Sequence, residues 1–279
     1  MHMSREEFLR WPQKAITLLG MSGVGKTYLA NSLPKTSWFH YSGDYRIGTK
    51  YLSEPILDNI KRQAMKVGFL RDLLRSDSIY IANNISVHNL EPVSTFLGKL
   101  GRSDMGGLGL EEFKRRQRLH LEAESEAMRD VEAFIGKAHE IYGYDHFLND
   151  AGGSICELPE GGALEVLKKY TLILYLHADA EMEEELIRRA RSDPKPLYFE
   201  PRFLDKKLAE YLDHGGLRTA DEIAPDKFAK WIFPGLLEHR RPLYQAIADR
   251  HGYTIAARDI EKIHSEADFL DLVADAIHA

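Results

Sequence analysis

Five short apolar runs are spaced along the chain and indicate buried strands. They cover residues 16–19, 38–41, 147–148 with their neighbours, 172–176 and 253–256. Continuous apolar runs of this length are typical of a parallel sheet whose two faces are both covered. We therefore expect a central parallel sheet.

Helical patterns separate these runs. Apolar residues recur with helical spacing over residues 27–33, 111–137, 181–190 and 265–279. Strands that alternate with helices predict an α/β fold, in which helices flank the sheet and make three layers.

Residues 54–109 interrupt this alternation. Apolar residues follow a helical spacing at Ile56, Ile60 and Ala64, and again at Phe69 and Leu73. A short apolar stretch, IYIANNISV, and a glycine cluster, GRSDMGGLGL, complete the segment. We expect a mostly helical insert over 54–109 that covers one side of the sheet, and a core formed by residues 1–53 and 110–279.

The composition of the chain narrows its possible partners. The chain has 279 residues, a net charge of −6 and an apolar fraction of 44%. This balance gives no general attraction to nucleic acid or to an anionic membrane. No apolar run reaches the roughly 18 residues needed to cross a bilayer. We expect neither a nucleic-acid nor a membrane partner.

The cysteine content bears on the cell compartment. Cys156 is the only cysteine, so no internal disulfide can form, and a reducing environment suits the chain. The N-terminal stretch MHMSREEFLRWPQK has no apolar signal core. We expect a cytoplasmic protein.

The first apolar run leads directly into a candidate phosphate-binding loop. Residues 20–27 read GMSGVGKT and match the Walker A pattern G-x-x-x-x-G-K-[ST], between a strand pattern and a helical pattern. Glycines let backbone amides approach phosphate oxygens, while Lys26 reaches the β- and γ-phosphates and the Thr27 hydroxyl holds Mg²⁺. The residues expected to contact the nucleotide are Gly20, Ser22, Gly23, Val24, Gly25, Lys26, Thr27 and Tyr28.

A Walker A motif alone does not separate kinases from GTPases or motor ATPases. The chain lacks the guanine-reading Asn-Lys-x-Asp sequence, although residues 150–153 (DAGG) mimic the Asp-x-x-Gly box of GTPases. It also lacks the Leu-Ser-Gly-Gly-Gln signature of ABC-type ATPases. Asp150 ends an apolar run, and an acid in that position beside a phosphate loop commonly helps to hold Mg²⁺. We expect Thr27 and Asp150 to hold the metal.

Four segments, of which the phosphate loop is the first, resemble the shikimate kinase family of P-loop kinases, to which gluconate kinases are related. The segments are the loop GMSGVGKT, then FHYSGDYRIG, then FLNDAGGSICEL, and finally the C-terminal pair LILYLHADAEMEEELIRRARSDPKPL and EHRRPLYQAIADRHGYTI. A weaker match is GLGLEEFKRRQ. Together they touch about half of the chain.

The resemblance implies an acceptor hydroxyl bound by Asp44. In the family, the second acid of Asp-x-Asp-x-x-Ile binds that hydroxyl, and Asp44 stands in its place, while Ser42 replaces the first acid. A glycine turn lines the acceptor pocket, and it corresponds here to Gly152 and Gly153 after Ala151.

The resemblance also implies cationic groups for a carboxylate on the acceptor. Arg240 stands in the place of the arginine that grips the substrate carboxylate. Lys114 replaces a second contacting arginine, and Gln117 replaces a glutamate.

A basic lid is the last feature that the resemblance implies. Arg188, Arg189, Arg191 and Lys195 lead into a proline-containing loop, and we expect residues of about 188–204 to form a lid segment. Lids of this kind close over the phosphates during transfer, so Arg188 and Arg191 are candidate catalytic residues beside Lys26 and Asp44.

These features predict an ATP-dependent kinase that phosphorylates a hydroxyl of a small anionic metabolite. The departures from the family pattern at Ser42, Ala151, Lys114 and Gln117 indicate an acceptor other than shikimate. The expected cofactors are ATP and Mg²⁺, the expected partner is a small-molecule acceptor, and the expected state is a monomer or homodimer.

Two alternatives remain open. One is a P-loop ATPase that acts as a regulatory switch with a protein partner. The other is a kinase of a larger acceptor such as a nucleotide sugar, which the insert would accommodate.

Overall fold

The computed structural model describes residues 2–159 and 162–278. Its centre is a parallel sheet of β1 (Ala15–Leu19), β2 (Trp38–Ser42), β3 (His146–Asp150), β4 (Leu172–His177) and β5 (Gly252–Ala256), in the order β2-β3-β1-β4-β5. Each of the five apolar runs is a strand, so the predicted parallel sheet is confirmed.

Helices flank this sheet, as expected for a three-layer fold. Their bounds are α1 (Arg5–Arg10), α2 (Lys26–Ser32), α3 (Gly43–Arg46), α4 (Ser53–Ala64), α5 (Gly68–Arg75), α6 (Glu91–Leu97), α7 (Leu110–Arg129), α8 (Val131–Glu140), α9 (Ala163–Tyr170), α10 (Ala180–Ser192), α11 (Pro201–Gly215), α12 (Pro225–His251) and α13 (Glu266–His278). Helix α8 packs on β2 and β3, α9 on β4, α12 on β4 and β5, and α13 on β5.

The helical patterns differ from the structure in several places. The pattern over 111–137 predicted one helix, but the chain breaks at Asp130 into α7 and α8. Helices α1, α3, α9, α11 and α12 were not predicted. Helix α12 contains Pro234 and Pro242, which are normally helix breakers. This 27-residue helix nevertheless carries the RRPLY segment.

The expected insert is mostly helical. It holds α4 from Ser53, α5, α6 and a short 3₁₀ turn at Ser103–Met105. Arg116 of α7 fastens it to the core, since its guanidinium donates to the Asn59 side-chain oxygen (2.8 Å) and the Phe96 carbonyl (2.6 Å). The division of the chain into a core and an insert stays a prediction.

The sheet topology brings three loops together at one edge. Strand β3 lies between β2 and β1, and Asp150 is in register with Ser42 on one side and Leu18 on the other. All three strands run in the same direction, so the segments that follow them leave the sheet at its carboxyl edge. Ligands of open α/β sheets bind at this edge.

No helix in the described part of the chain combines the length and the apolar character that a bilayer span requires.

Candidate functional site

The loop between β1 and α2 has the conformation that its glycines permit. Gly20, Gly23 and Gly25 have φ values of +146°, +91° and +101°, a range that other residues rarely adopt. Helix α2 begins at Lys26, and no side chain caps its N-terminus. The backbone amides of this first turn therefore lack a side-chain acceptor, as a phosphate-binding loop requires.

Lys26 lies folded against this loop. Its side chain is buried, and Nζ donates to the carbonyl oxygens of Gly20 (2.7 Å) and Met21 (3.0 Å). Burial lowers the pKa of Lys26, while the nearby carboxyl groups of Asp150 and Asp44 oppose that change. The ammonium group thus lies within electrostatic reach of both acids.

Thr27 and Asp150 form a direct pair across the carboxyl edge of the sheet. The Thr27 hydroxyl donates to Asp150 Oδ2 at 2.5 Å, and His40 Nε2 lies 3.6 Å from the same oxygen. A hydroxyl and a carboxylate are the hard oxygen ligands that Mg²⁺ takes from a protein beside nucleotide phosphates. The pair therefore fits the metal role predicted for it. His40 was not predicted to lie here.

Over residues 2–159 and 162–278, no group of three or more His, Cys, Asp or Glu side chains is arranged to hold a metal ion.

Asp44 follows β2 in the short helix α3. Ser42 caps this helix, because its hydroxyl accepts a hydrogen bond from the Tyr45 amide at 3.3 Å. The residue that replaces the first acid of the family motif is therefore a helix cap here. Burial and the neighbouring Asp150 raise the pKa of Asp44 to about 6, although Lys26 opposes the change.

One small cavity brings these groups together. It has a volume of about 210 Å³. Its lining residues are Ser22, Gly23, Gly25, Lys26, Thr27, Tyr28, Asp44, Asp150, Ala151 and Gly153. The phosphate loop, the Thr27–Asp150 pair and Asp44 thus share one space, which we call the central cavity.

A larger cleft of about 1030 Å³ adjoins the phosphate loop. Gly23, Gly25 and Tyr28 line one side, and α10 and the turn at residues 257–261 line the other. The turn was not singled out in the sequence, because nothing in its composition distinguishes it from a surface loop.

The basic residues of the lid segment differ in their positions. Arg188 and Arg189 both line the larger cleft, and each pairs with Glu185. Arg189 and Lys195 also line a cavity of about 380 Å³ beside Ser22 and Gly23. Arg191 is exposed near the end of α10. The segment that follows α10, residues 193–200, is neither helix nor strand.

The two cations expected to bind an acceptor carboxylate already have internal partners. Lys114 Nζ lies 2.7 Å from Asp205 Oδ1. Arg240 is 1% exposed, and one of its terminal nitrogens donates to Glu157 Oε2 at 2.6 Å. Both residues are therefore paired within the protein, and their binding of a carboxylate on the acceptor stays a prediction.

Arg240 instead holds the glycine turn. Arg240 and Tyr244, both on α12, donate to the Gly153 carbonyl oxygen at 2.7 and 2.5 Å. A Cβ atom at Gly153 would lie only 3.2 Å from the Ser22 amide nitrogen, so the turn packs closely on the phosphate loop. The RRPLY segment therefore positions the Gly152–Gly153 turn against the phosphate loop.

Glu124 is a site residue that was missed in the sequence. Its side chain is fully buried, Ser154 Oγ donates to Oε2 at 2.6 Å, and a Cβ atom at Gly152 would overlap Oε1. Burial raises the pKa of Glu124 to about 7, with a smaller contribution from Asp44. In the sequence, Glu124 lies in a highly charged helical stretch that is typical of a solvated face, and no motif marked it.

The strand order, the glycine loop and the Thr27–Asp150 pair together define a P-loop NTPase fold. Comparisons by sequence do not assign the chain to a family within this fold class. No protein-family model matches the chain, and no curated protein matches its sequence.

Two solved structures are similar to the chain. One is a shikimate kinase from Acinetobacter baumannii in complex with shikimate, with 16% identity, a TM-score of 0.41, and coverage of 92% of this chain and 93% of that one. The other is a shikimate kinase from Bacteroides thetaiotaomicron, with 15% identity, a TM-score of 0.36 and 94% coverage of each chain. Likenesses of this size do not establish an activity.

Proposed function

We propose that the chain is an ATP-dependent kinase that transfers the γ-phosphate to a hydroxyl group of a small polar molecule. One observation carries the proposal. Lys26, Thr27, Asp44 and Asp150 line a single cavity of about 210 Å³ with the glycines of the phosphate loop. A cradle for phosphate, a pair of metal ligands and a shielded acid in one space are the parts that phosphoryl transfer to a hydroxyl needs.

The donor side of this site consists of the loop and the larger cleft. The loop amides and Lys26 bind the phosphates, and the cleft of about 1030 Å³ between Tyr28 and Ile260 takes the nucleoside. Thr27 and Asp150 hold Mg²⁺, which supplies charge neutralisation on the phosphates when it is bound. ATP is proposed over GTP because the chain lacks the guanine-reading motif.

Asp44 acts on the acceptor side. Its carboxylate orients the acceptor hydroxyl and takes its proton as the new O–P bond forms and the bond between the γ-phosphorus and the bridging oxygen breaks. Its pKa of about 6 leaves the group mainly ionised at neutral pH and still basic enough to accept a proton.

The lid segment completes the site. Arg188, Arg189, Arg191 and Lys195 are the proposed charges that approach the phosphates on closure, and residues 193–200, which would move with them, are neither helix nor strand. Arg189 is the favoured member, because it lines both cavities beside the phosphate loop.

The proposal keeps a polar acceptor but does not include the anionic group that the family resemblance implies. An anionic acceptor was inferred from Lys114 and Arg240, whose charges are paired with Asp205 and Glu157. The proposal therefore names a small polar molecule with a hydroxyl group, and it retains a cytoplasmic monomer or homodimer.

A pair of variants separates nucleotide binding from transfer. Lys26→Met removes a charged phosphate contact and should weaken binding of an ATP analogue by about 10- to 100-fold. Asp44→Asn should leave that binding intact and lower transfer from γ-labelled ATP to a metabolite extract by roughly 10²- to 10⁴-fold. The readouts are the nucleotide Kd and the label recovered in small molecules.

Matched controls exist for both variants. Lys35→Met and Asp58→Asn change exposed residues and should leave both quantities unchanged. A wild-type protein that binds ATP through Lys26 but labels no small molecule would rule out the kinase and favour the ATPase switch. Full transfer by Asp44→Asn would rule out Asp44 as the base.

A further inference from the structure

Four buried polar side chains meet beside the central cavity. They are Glu124 and His120 of α7, Tyr198 of the lid segment and Arg240 of α12, with exposed fractions of 0%, 8%, 4% and 1%. His120 and Glu124 are four residues apart, so they share one face of α7. The His120 ring lies 5.9 Å from the Tyr198 ring, and Arg240 donates to the Tyr198 carbonyl at 2.8 Å. We call this group the acceptor-side cluster.

Each member of the cluster has a polar atom without a partner among the described residues. These atoms are Glu124 Oε1, His120 Nδ1, Tyr198 Oη and Arg240 Nε. Buried polar groups in native proteins are almost always hydrogen-bonded, so four unpaired atoms in one cluster require an explanation. A ligand that carries several hydrogen-bonding groups would satisfy them.

Gly152 separates Glu124 of the cluster from Asp44 of the central cavity. A Cβ atom at this position would overlap Glu124 Oε1 and would lie 3.3 Å from Asp44 Oδ1. The two carboxyl groups therefore border the same glycine. A side chain at residue 152 would fill the space between them.

The charges of the cluster disfavour a carboxylate ligand. The guanidinium of Arg240 is already paired with the fully buried side chain of Glu157. Burial lowers the pKa of His120 to about 4, so its ring is neutral at physiological pH. The remaining groups are the acids Asp44 and Glu124 and the neutral side chains of His120 and Tyr198. All four can hydrogen-bond to hydroxyl groups, and the two acids repel an anion.

We propose that the acceptor-side cluster is the acceptor subsite, and that the acceptor is a neutral molecule with several adjacent hydroxyl groups. One hydroxyl faces Asp44 and receives the phosphate, its neighbour donates to Glu124 Oε1, and more distant hydroxyls bind His120 Nδ1 and Tyr198 Oη. This inference rests on the proposed kinase function and replaces the anionic acceptor expected from the sequence.

The acceptor reaches the cluster by an opening of the lid segment. Tyr198 lies in residues 193–200, which are held by Gln117 and Arg240. Gln117 Nε2 donates to the Leu197 carbonyl (3.2 Å), Gln117 Oε1 accepts from the Phe199 amide (2.8 Å), and Arg240 donates to the Tyr198 carbonyl (2.8 Å). These few contacts must open for the cluster to be reached. The same segment therefore encloses both substrates.

The test uses a protein-free metabolite extract divided by ion exchange into neutral, anionic and cationic fractions. Each fraction is incubated with the wild-type protein, Mg²⁺ and γ-labelled ATP, and the label transferred to small molecules is measured. We expect the label in the neutral fraction. Label confined to the anionic or the cationic fraction would overturn the inference.

Variants then test the cluster with the purified neutral acceptor. Glu124→Gln and Tyr198→Phe should each raise the acceptor KM about tenfold while the KM for ATP stays the same, because each removes a hydrogen-bonding group of the acceptor subsite. Glu126→Gln is the matched control, since Glu126 lies on the same helix and its side chain is about half exposed. An unchanged acceptor KM in both cluster variants would overturn the inference.

The outcomes separate this inference from the kinase proposal. Transfer to an anionic compound alone would support the kinase proposal and contradict the proposal of a neutral acceptor. Label in none of the three fractions, with ATP binding intact, removes the kinase itself and the inference that rests on it. A thermal unfolding curve of each variant shows whether a loss of activity reflects a loss of folded protein.

Discussion

Asp44 and Glu124 border Gly152, and burial raises the pKa of both carboxyl groups, to about 6 and about 7. An acid buried near another acid is costly to ionise, because it loses hydration and gains repulsion. Within residues 2–159 and 162–278, Glu124 has one compensating hydrogen bond, from Ser154. At the scale of single residues, ionisation of Asp44 and Glu124 thus destabilises the folded protein at the place where a substrate is expected to bind.

A pH dependence of stability follows for Glu124. Its pKa is about 7 in the folded protein and close to 4.5 when unfolded, so between these values the folded state binds more protons. This contribution to stability is present at low pH and is lost as the pH rises from about 5 to about 7. Glu124→Gln should therefore be more stable than the wild type by roughly 1–3 kcal/mol at pH 8, and by much less at pH 5.

Urea unfolding at several pH values measures this difference. The control Glu126→Gln changes a half-exposed residue paired with Arg129 and should alter stability by no more than about 1 kcal/mol at any of these pH values. A stability difference for Glu124→Gln that is equally independent of pH would contradict the raised pKa.

Sequence reasoning reached the residues of this site only where a local motif marked them. Lys26 and Thr27 belong to a contiguous pattern, and Asp150 ends a strand beside it. Glu124 has its contacts with Asp44, Gly152 and Ser154, which lie far away in the sequence. No local sequence pattern indicates that distant segments will bury a charged residue of a helix.

At the scale of elements, α12 acts through one backbone carbonyl. Arg240 and Tyr244 both donate to Gly153, and the Arg240 charge is balanced by Glu157. The motif that suggested a grip on a substrate carboxylate therefore holds the glycine turn in place.

Removal of the Arg240 side chain should lower the stability of the folded protein, because Glu157 then loses its guanidinium partner. Arg240→Met leaves the buried Glu157 carboxylate without its guanidinium partner, with His239 Nε2 3.4 Å from Oε1, and should lower the free energy of unfolding by about 3–5 kcal/mol. The double variant Arg240→Met/Glu157→Gln should lose less than the sum of the two single losses, because no unpaired charge remains. Urea unfolding of the four proteins gives the coupling.

The neighbouring residue supplies the control. Arg241 forms an exposed pair with Glu183, so Arg241→Met should cost no more than about 1 kcal/mol. Equal losses for Arg240→Met and Arg241→Met would contradict the positioning role of Arg240.

The elements themselves were predictable to different degrees. Strands and α10 follow from local apolar patterns. The break between α7 and α8 does not, because Asp130 there is fixed by Arg46 (2.7 Å) and Tyr51 (2.7 Å) from an earlier part of the chain. Helix α12 continues past two prolines because its length is packed on β4 and β5, which no local propensity reports.

At the scale of the whole molecule, the order β2-β3-β1-β4-β5 decides which loops meet. Alternation of strands and helices predicts a parallel sheet with helical layers, and the structure agrees. The order of strands depends on tertiary packing, so the meeting of the phosphate loop, α3 and the Gly152–Gly153 turn could be expected only through the family resemblance.

Nucleotide binding should be visible across the molecule. A Mg²⁺-bound, non-hydrolysable ATP analogue at about 100 times its Kd should add about 2.7 kcal/mol of stability. Slower amide hydrogen exchange should appear in residues 20–27 and in residues 193–200, because the loop is occupied and the lid segment closes.

Removal of Mg²⁺ with EDTA should reduce both effects, because Thr27 and Asp150 then hold no metal, and Lys26→Met should abolish most of them. Slower exchange in residues 20–27 without any change in residues 193–200 would contradict closure of the lid segment.

The Gly153 peptide has a consequence for the energetics of the two substrates. Its carbonyl is held by Arg240 of the acceptor-side cluster, and its backbone packs against Ser22 of the phosphate loop. A ligand that shifts this turn from one side alters the other side as well, so the two binding free energies are coupled. Thermodynamic reciprocity then requires that each substrate change the affinity of the other by the same factor.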